Sequence, residues 1–198
     1  EATAELCALL AFSAMHNDDK VGLTLFHGGI EGYIPPRKGQ RHVLRVVREV
    51  LAHGSADAGT RTTAPSAEMR CFWPWSSRRR PRTGRQATRI AAAMEFLLQV
   101  AKRKTVCFVV SDFFDAGYER AMRMANRTHD VIAVHIVDPR EVTIPNLGLV
   151  ALTDSETGAT GLYDTGSSAF RRTFEGLAER RAGELEQRFR KSGIDFIR

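Results

Sequence analysis

Cysteine is scarce in this chain: three residues in 198, Cys7, Cys71 and Cys107, far apart and with no CxxC pair. Zinc sites draw on closely spaced thiolate or imidazole pairs, so this pattern offers none. Two core thiols and one loop thiol fit the spacing, and such usage suits a reducing, cytoplasmic setting. Long apolar runs are missing too. The best, Val106–Val110 and Val131–Val137, fall far short of the roughly 18 residues that suggest a membrane span. No signal peptide is visible. The phosphate-cradling fingerprints GxGxxG and GxxxxGKS/T are absent, as is the nucleophile elbow GxSxG. No nucleophile–base set declares itself, so enzyme chemistry has no visible residues to run on.

What is present is the composition of a soluble globular domain, 43% apolar and 26% charged, in a chain long enough for one ordinary core. The formal net charge is +6, and Arg78, Arg79, Arg80, Arg82 and Arg85 lie close together. The chain opens at Glu1, without Met and inside a helical pattern. It therefore reads as a piece of a longer protein whose missing N-terminal part has room for a membrane anchor.

Apolar spacing organises the chain. Thr3–Ala14 reads as a helix with Ala4, Leu6, Leu9, Leu10 and Ser13 on one face. Val21–Phe26 reads as a buried strand, and Glu31–Ile34 pairs back as a hairpin that Pro35 and Pro36 should end. His42–Leu51 is a helix with a face of Val43, Leu44, Val46, Val47, Val50 and Leu51. Thr88–Ala101 is an amphipathic helix. Thr105–Ser111 and Val131–Val137 are continuous apolar strands of the kind covered on both faces, separated by a helix over Tyr118–Arg127. Leu149–Leu152 and Gly161–Tyr163 form a short strand and its return. Ala169–Arg190 is a long helix with Phe170, Phe174, Leu177, Ala178, Leu185 and Phe189 on its apolar face, and Ile194–Ile197 is a last strand. Alternating strands and helices imply parallel pairing. The expected fold is α/β: a doubly wound, mostly parallel sheet with helices on both faces, in a single domain over residues 1–198.

Residues 54–86 interrupt this pattern. They are rich in Ser, Thr, Ala, Gly, Pro and Arg and lack any period, so they read as a loop or disordered insert. Cys71-Phe72-Trp73-Pro74-Trp75 lies within them, next to the arginine run. Aromatics beside arginines stack on bases in single-strand binders; they also fold back onto apolar surfaces.

Open α/β sheets bind ligands at the carboxyl ends of their strands, which singles out Ser111-Asp112-Phe113-Phe114-Asp115. Asp112 is placed either to hold a hard cation or to fix its own loop. Asp115 reads as the N-cap of the Tyr118 helix, and Asp138, before Pro139, as a turn residue. Thr88 either caps its helix or contributes a hydroxyl to the same crevice. His129 and His135 fall at opposite ends of one strand, which prevents them from sharing a metal.

Several segments together resemble the bacterial "domain of unknown function 58" family. They are Val21-Gly22-Leu23 with Phe26 and Glu31, Tyr33–Gly39, His42–Arg45, Ser111-Asp112-Phe113 with Gly117-Tyr118-Glu119, His129–Val134, Asp138–Glu141, and Gly148-Leu149-Val150 with Glu156-Thr157-Gly158. Tyr33–Gly39 is the most specific, and the resemblance covers nearly everything outside residues 54–86. It implies a von Willebrand factor A-like fold, here lacking its first strand. It also implies a non-enzymatic adaptor role beside MoxR-type AAA+ ATPases and other von Willebrand A-like proteins in assembling or maturing proteins. Longer members often carry membrane helices before the domain, which would place it at the cytoplasmic face of the membrane. Such folds hold Mg²⁺ at a metal-ion-dependent adhesion site built from a DxSxS motif, a threonine and an aspartate. Thr88 matches the threonine and Asp112 the aspartate. DxSxS is expected just before Glu1, beside the Thr105–Ser111 strand, and is absent. Ala87 and Arg89 flank Thr88, whereas the family tends to place Gly and an acidic residue there. The site therefore reads as incomplete, with Mg²⁺ expected in the intact protein at most. Two other readings stay open: a metal-dependent phosphoesterase using Asp112 and Asp115, and a nucleic-acid binder using the Arg/Trp insert.

Overall fold

The computed structural model describes residues 2–56, 89–153 and 160–198. Thr88, the arginine run and most of residues 54–86 lie outside the described residues. In chain order the elements are α1 (Ala2–His16), β1 (Val21–Phe26), β2 (Ile30–Arg37), α2 (Gln40–Ala56), α3 (Ile90–Val100), β3 (Val106–Ser111), α4 (Glu119–Thr128), β4 (Asp130–His135), α5 (Pro139–Val142), β5 (Leu149–Thr153), β6 (Thr160–Asp164), α6 (Ser168–Lys191) and β7 (Asp195–Ile197). They fall into two compact units. One holds α1, α2 and the adjoining ends of β1 and β2. The other holds the tip of the β1–β2 hairpin and everything from α3 onward.

In the first unit α2 buries Val43, Val46 and Val50 and ties itself to β1 through His42 Nε2, 2.8 Å from the Val21 carbonyl oxygen. Two apolar faces differ from those the spacing predicts. Leu44 and Leu51 stay largely exposed on α2, leaving a narrower valine stripe. On α1 the buried position is Ala11, whereas Leu9 is 69% exposed and Ser13 faces water. Alanine-rich helices carry too little contrast between faces for spacing to fix which side packs. Strand β2 also corrects the expectation that it stops at Pro35. It runs on to Arg37, through both prolines. Its sheet has only two strands among the described residues, and successive backbone N–H groups along a strand point to opposite sides, so the outer edge accounts for the missing N–H of one of the two prolines and the other costs a ladder bond. The strands approach closely here: a Cβ on Gly22 would sit 3.0 Å from the Ile34 carbonyl oxygen and 3.0 Å from Pro36 Cγ.

In the second unit, β3, β4 and β7 form a parallel three-stranded sheet in the order β3-β4-β7. Val106 pairs with Asp130 and Ser111 with His135, so β3 and β4 end level. Parallel neighbours require crossovers, which α4 and α6 supply. Ile90 and Met94 of α3, Met122 of α4, Leu185 and Phe189 of α6, and Val109, Val131 and Ala133 of the sheet share one buried core. The chain is therefore mixed α/β with parallel pairing. The short β5–β6 ribbon is antiparallel, with Leu149 opposite Asp164 and Leu152 opposite Gly161.

Two devices set β7 in place. Helix α6 ends in a Schellman motif: the Ile194 N–H bonds the Phe189 carbonyl (3.1 Å) and the Gly193 N–H that of Arg190 (3.1 Å), with Gly193 at φ 65°. Asn126, at the end of α4, donates through Nδ2 to the Gly193 carbonyl (2.7 Å) and accepts the Val131 N–H at 3.0 Å. One amide side chain thus joins α4, β4 and the turn into β7.

Candidate functional site at the carboxyl edge of the sheet

The carboxyl ends of β3, β4 and β7 bring together the Ser111–Asp115 loop, His135 and Arg198, and Arg181 of α6 lies close to the same edge. The loop is tightly determined. Phe113 adopts φ 53°, a left-handed conformation that costs a residue with a Cβ of order 1 kcal/mol or more. Its ring is buried in the core, edge-on to Phe189 at 5.0 Å and tilted against Tyr118 at 5.8 Å. The Phe113 N–H bonds Ser111 Oγ (3.2 Å) and the Phe114 N–H bonds Asp112 Oδ1 (3.2 Å). Core burial and two side-chain turns together hold the strained residue. Their consequence is that the next ring, Phe114, points outward, 47% exposed.

Asp112 stands exposed at the strand end the spacing predicts. Its Oδ1 fixes the loop through the Phe114 N–H and also takes the Ser111 hydroxyl at 3.3 Å. Asp115 departs from its expected role. Helix α4 has no side-chain cap, its N-cap position being Tyr118. The Asp115 carboxylate instead accepts the Ile90 N–H at 2.8 Å and the Ala116 N–H at 2.7 Å. It therefore caps α3, whose own preceding residue, Arg89, makes no side-chain cap. The reason is tertiary: the loop after β3 passes the open end of α3, whose unbonded N–H groups and positive dipole end attract a carboxylate.

Mg²⁺ asks for a near-octahedral shell of oxygens. Thr88 is outside the described residues, Asp115 is committed to α3, and Asp112 is the carboxylate that remains at the edge. Among the described residues no group of three or more His, Cys, Asp or Glu side chains gathers. These donors do not make a fit for a resident divalent ion.

His129 and His135 stand at opposite ends of β4, as their spacing requires. His129 is buried, and neither ring nitrogen has a hydrogen-bond partner among the described residues. His135 packs between Phe113 (6.2 Å) and Phe196 (6.0 Å). Burial lowers its pKa, the positive charges of Arg198 and Arg181 push the same way, and Asp112 opposes them. Sequence reasoning missed Arg181. Its guanidinium carbon lies 3.3 Å over the centre of the Phe114 ring, a cation–π contact between residues far apart in the chain that no local pattern announces.

A second feature sits on the β5–β6 ribbon. Leu149 and Leu162 are 69% and 71% exposed, and Leu147 nearby is 66% exposed.

No helix among the described residues is long and apolar enough to cross a membrane. The parallel three-stranded sheet and the helices that accompany it define the class as a mixed α/β domain. Residues 1–184 match the family described as "Protein of unknown function DUF58", and the chain belongs to that family. Uncharacterized proteins of Mycobacterium bovis and Mycobacterium tuberculosis are each 22% identical to it over 191 residues, which is 96% of this chain and 52% of theirs. An uncharacterized protein of Mycobacterium avium is 29% identical over 109 residues, covering 54% of this chain and 64% of that one. The chain thus spans about half the length of the first of these relatives. No solved structure matches it.

Proposed function

We propose that the chain is a non-enzymatic interaction domain of von Willebrand factor A-like, doubly wound type. In this reading it works as an adaptor for a MoxR-type AAA+ ATPase in protein assembly or maturation, at the cytoplasmic side of the cell. It docks through the carboxyl edge of the β3–β4–β7 sheet, and Asp112, together with Thr88 in the sequence, belongs to a remnant metal-ion-dependent adhesion site. The observation that carries the reading is the loop itself. Core burial of Phe113 and the Ser111 and Asp112 turns hold a strained backbone whose outcome is to present Phe114 and Asp112 to solvent. Strain is retained where surrounding structure sustains it for a purpose, and a rigid, outward-facing aromatic beside charge suits partner recognition.

The hydrolase alternative asks Asp112 and Asp115 to share a metal and activate water. Asp115 is already hydrogen-bonded to two backbone amides, which leaves that alternative poorly supplied with ligands. The nucleic-acid alternative rests on residues outside those described.

The test is capture of the MoxR-type ATPase from the same organism by the full-length protein. Asp112→Ala and Phe114→Ala should each weaken capture by about tenfold, as loss of a central contact does, with melting temperatures within a few degrees of the parent. Capture unaltered by both variants would remove the edge from the account.

A further inference from the structure

Helix α4 turns its small and apolar residues inward and a row of arginines outward. Ala121, Met122 and Ala125 are buried in the core, while Arg120, Arg123 and Arg127 are exposed. Spacings of three, four and seven residues put the three arginines on one helix face, opposite the buried one. At 1.5 Å of rise per residue the row is about 10 Å long. It continues past the helix. The Asp130 N–H bonds the Thr105 carbonyl at 2.9 Å, which sets the end of α4 beside the exposed run Lys102-Arg103-Lys104. On the other side Asn126 Nδ2 reaches the Gly193 carbonyl (2.7 Å), bringing up the last turn of α6 with exposed Arg190 and Lys191. None of these eight cations makes an ion pair within 4.0 Å with any described residue. The one acid of α4, Glu119, is turned to Arg188 of α6 at 3.7 Å. The other carboxylates bordering the face are Glu95 of α3, Asp130 of β4 and Asp195 of β7, so eight positive charges stand among three negative ones.

We propose that this face binds the phosphate backbone of a nucleic-acid duplex, independently of base sequence. It is a second surface, sharing no residue with the carboxyl edge proposed above for docking. A row of cations matches a linear polyanion: a duplex carries one charge per about 1.7 Å of its axis, so a stretch of about 10 Å meets several phosphates. Half of the cations are the guanidinium groups of Arg103, Arg120, Arg123 and Arg127, whose fork fits two phosphate oxygens at once. A duplex is favoured over a single strand because no aromatic residue stands among Lys102–Lys104 or along Glu119–Thr128 to stack on unpaired bases. A membrane surface is disfavoured because the apolar face of α4 is spent on the core. Met124, 50% exposed, is the apolar side chain its outer face offers, too little to anchor a helix in lipid.

The experiment measures binding of a fluorescein-labelled DNA duplex of about twenty base pairs to the full-length protein by anisotropy, across a salt series. Arg120→Gln, Arg123→Gln and Arg127→Gln should each weaken binding about fivefold at about 0.1 M salt and lower the slope of log K against log salt by about one. Replacing Lys102, Arg103 and Lys104 together with Gln should act in the same direction. That loop variant keeps the test decisive should a helix variant fail to fold, which melting curves report. Arg45→Gln on α2 and Arg172→Gln on α6 remove the same charge from exposed positions elsewhere and should leave binding within about twofold. Equal losses at all of these arginines would assign binding to net charge and overturn the proposal. Binding that persists when Arg120, Arg123 and Arg127 are replaced together would also overturn it, by placing the duplex elsewhere on the chain. So would tighter binding to a single strand of equal charge, or to phosphatidylglycerol vesicles, through the same residues.

Discussion

The carboxylate of Asp115 caps a helix that begins twenty-five residues before it, accepting the Ile90 N–H at 2.8 Å. That bond ties the loop after β3 to the start of α3, and Ile90 is itself fully buried in the core. Loop geometry at the carboxyl edge and helix stability are therefore coupled through one side chain.

Replacing Asp115 with Ala should cost about 1–2 kcal/mol of stability, the usual value of an N-cap. Asp115→Asn should cost less, since its one amide oxygen keeps the Ile90 bond, while its NH2 cannot accept the Ala116 N–H and the charge facing the helix dipole is lost. Urea denaturation measures both. An alanine variant as stable as the parent would mean that the bond contributes nothing.

His135 should make stability depend on pH. Its folded pKa is lowered, first by burial and then by Arg198 and Arg181. A depressed histidine favours the folded state in its neutral form. Its contribution is fully present above the unfolded value of about 6.5 and is lost as pH falls through the folded value. Melting temperature should decline between pH 7 and pH 5, and His135→Gln should flatten that decline. Parallel curves for variant and parent would contradict this.

Cys107 should resist alkylation. Burial raises its pKa to about 11, so little thiolate exists at pH 8. Cys7 is raised by the same cause. Mass spectrometry after brief iodoacetamide treatment should find Cys107 unmodified in the native protein and modified in urea. Labelling at equal rates in both would contradict the core assignment.

Periodicity was enough to read the parallel strands, because Val106–Val110 and Val131–Val134 are unbroken apolar runs, but it overstated their cover: Val106 and Phe108 are 56% and 38% exposed, so one face of β3 is partly open among the described residues. It also placed Asp112 at the strand end. It assigned Asp115 the right chemistry and the wrong helix, because capping from a distant loop leaves no trace in local spacing. Pro35 and Pro36 read as a stop, yet β2 runs on through them to Arg37, since in a two-stranded sheet one of the two adjacent prolines faces the outer edge. The Arg181–Phe114 contact joins α6 to the β3 loop, and nothing in either segment alone reveals it. Leu9 and Leu44 are apolar residues at helical spacing that nonetheless face water, since hydrophobic spacing limits which face packs without fixing its width.

The most direct test of docking at the carboxyl edge is hydrogen–deuterium exchange of the full-length protein with and without its MoxR-type ATPase. The account predicts slowed exchange in residues 111–118 and in residues 179–186 and 195–198, with α2 unchanged. Protection confined to the β5–β6 ribbon and its exposed leucines, with none at the Ser111–Asp115 loop, would contradict it.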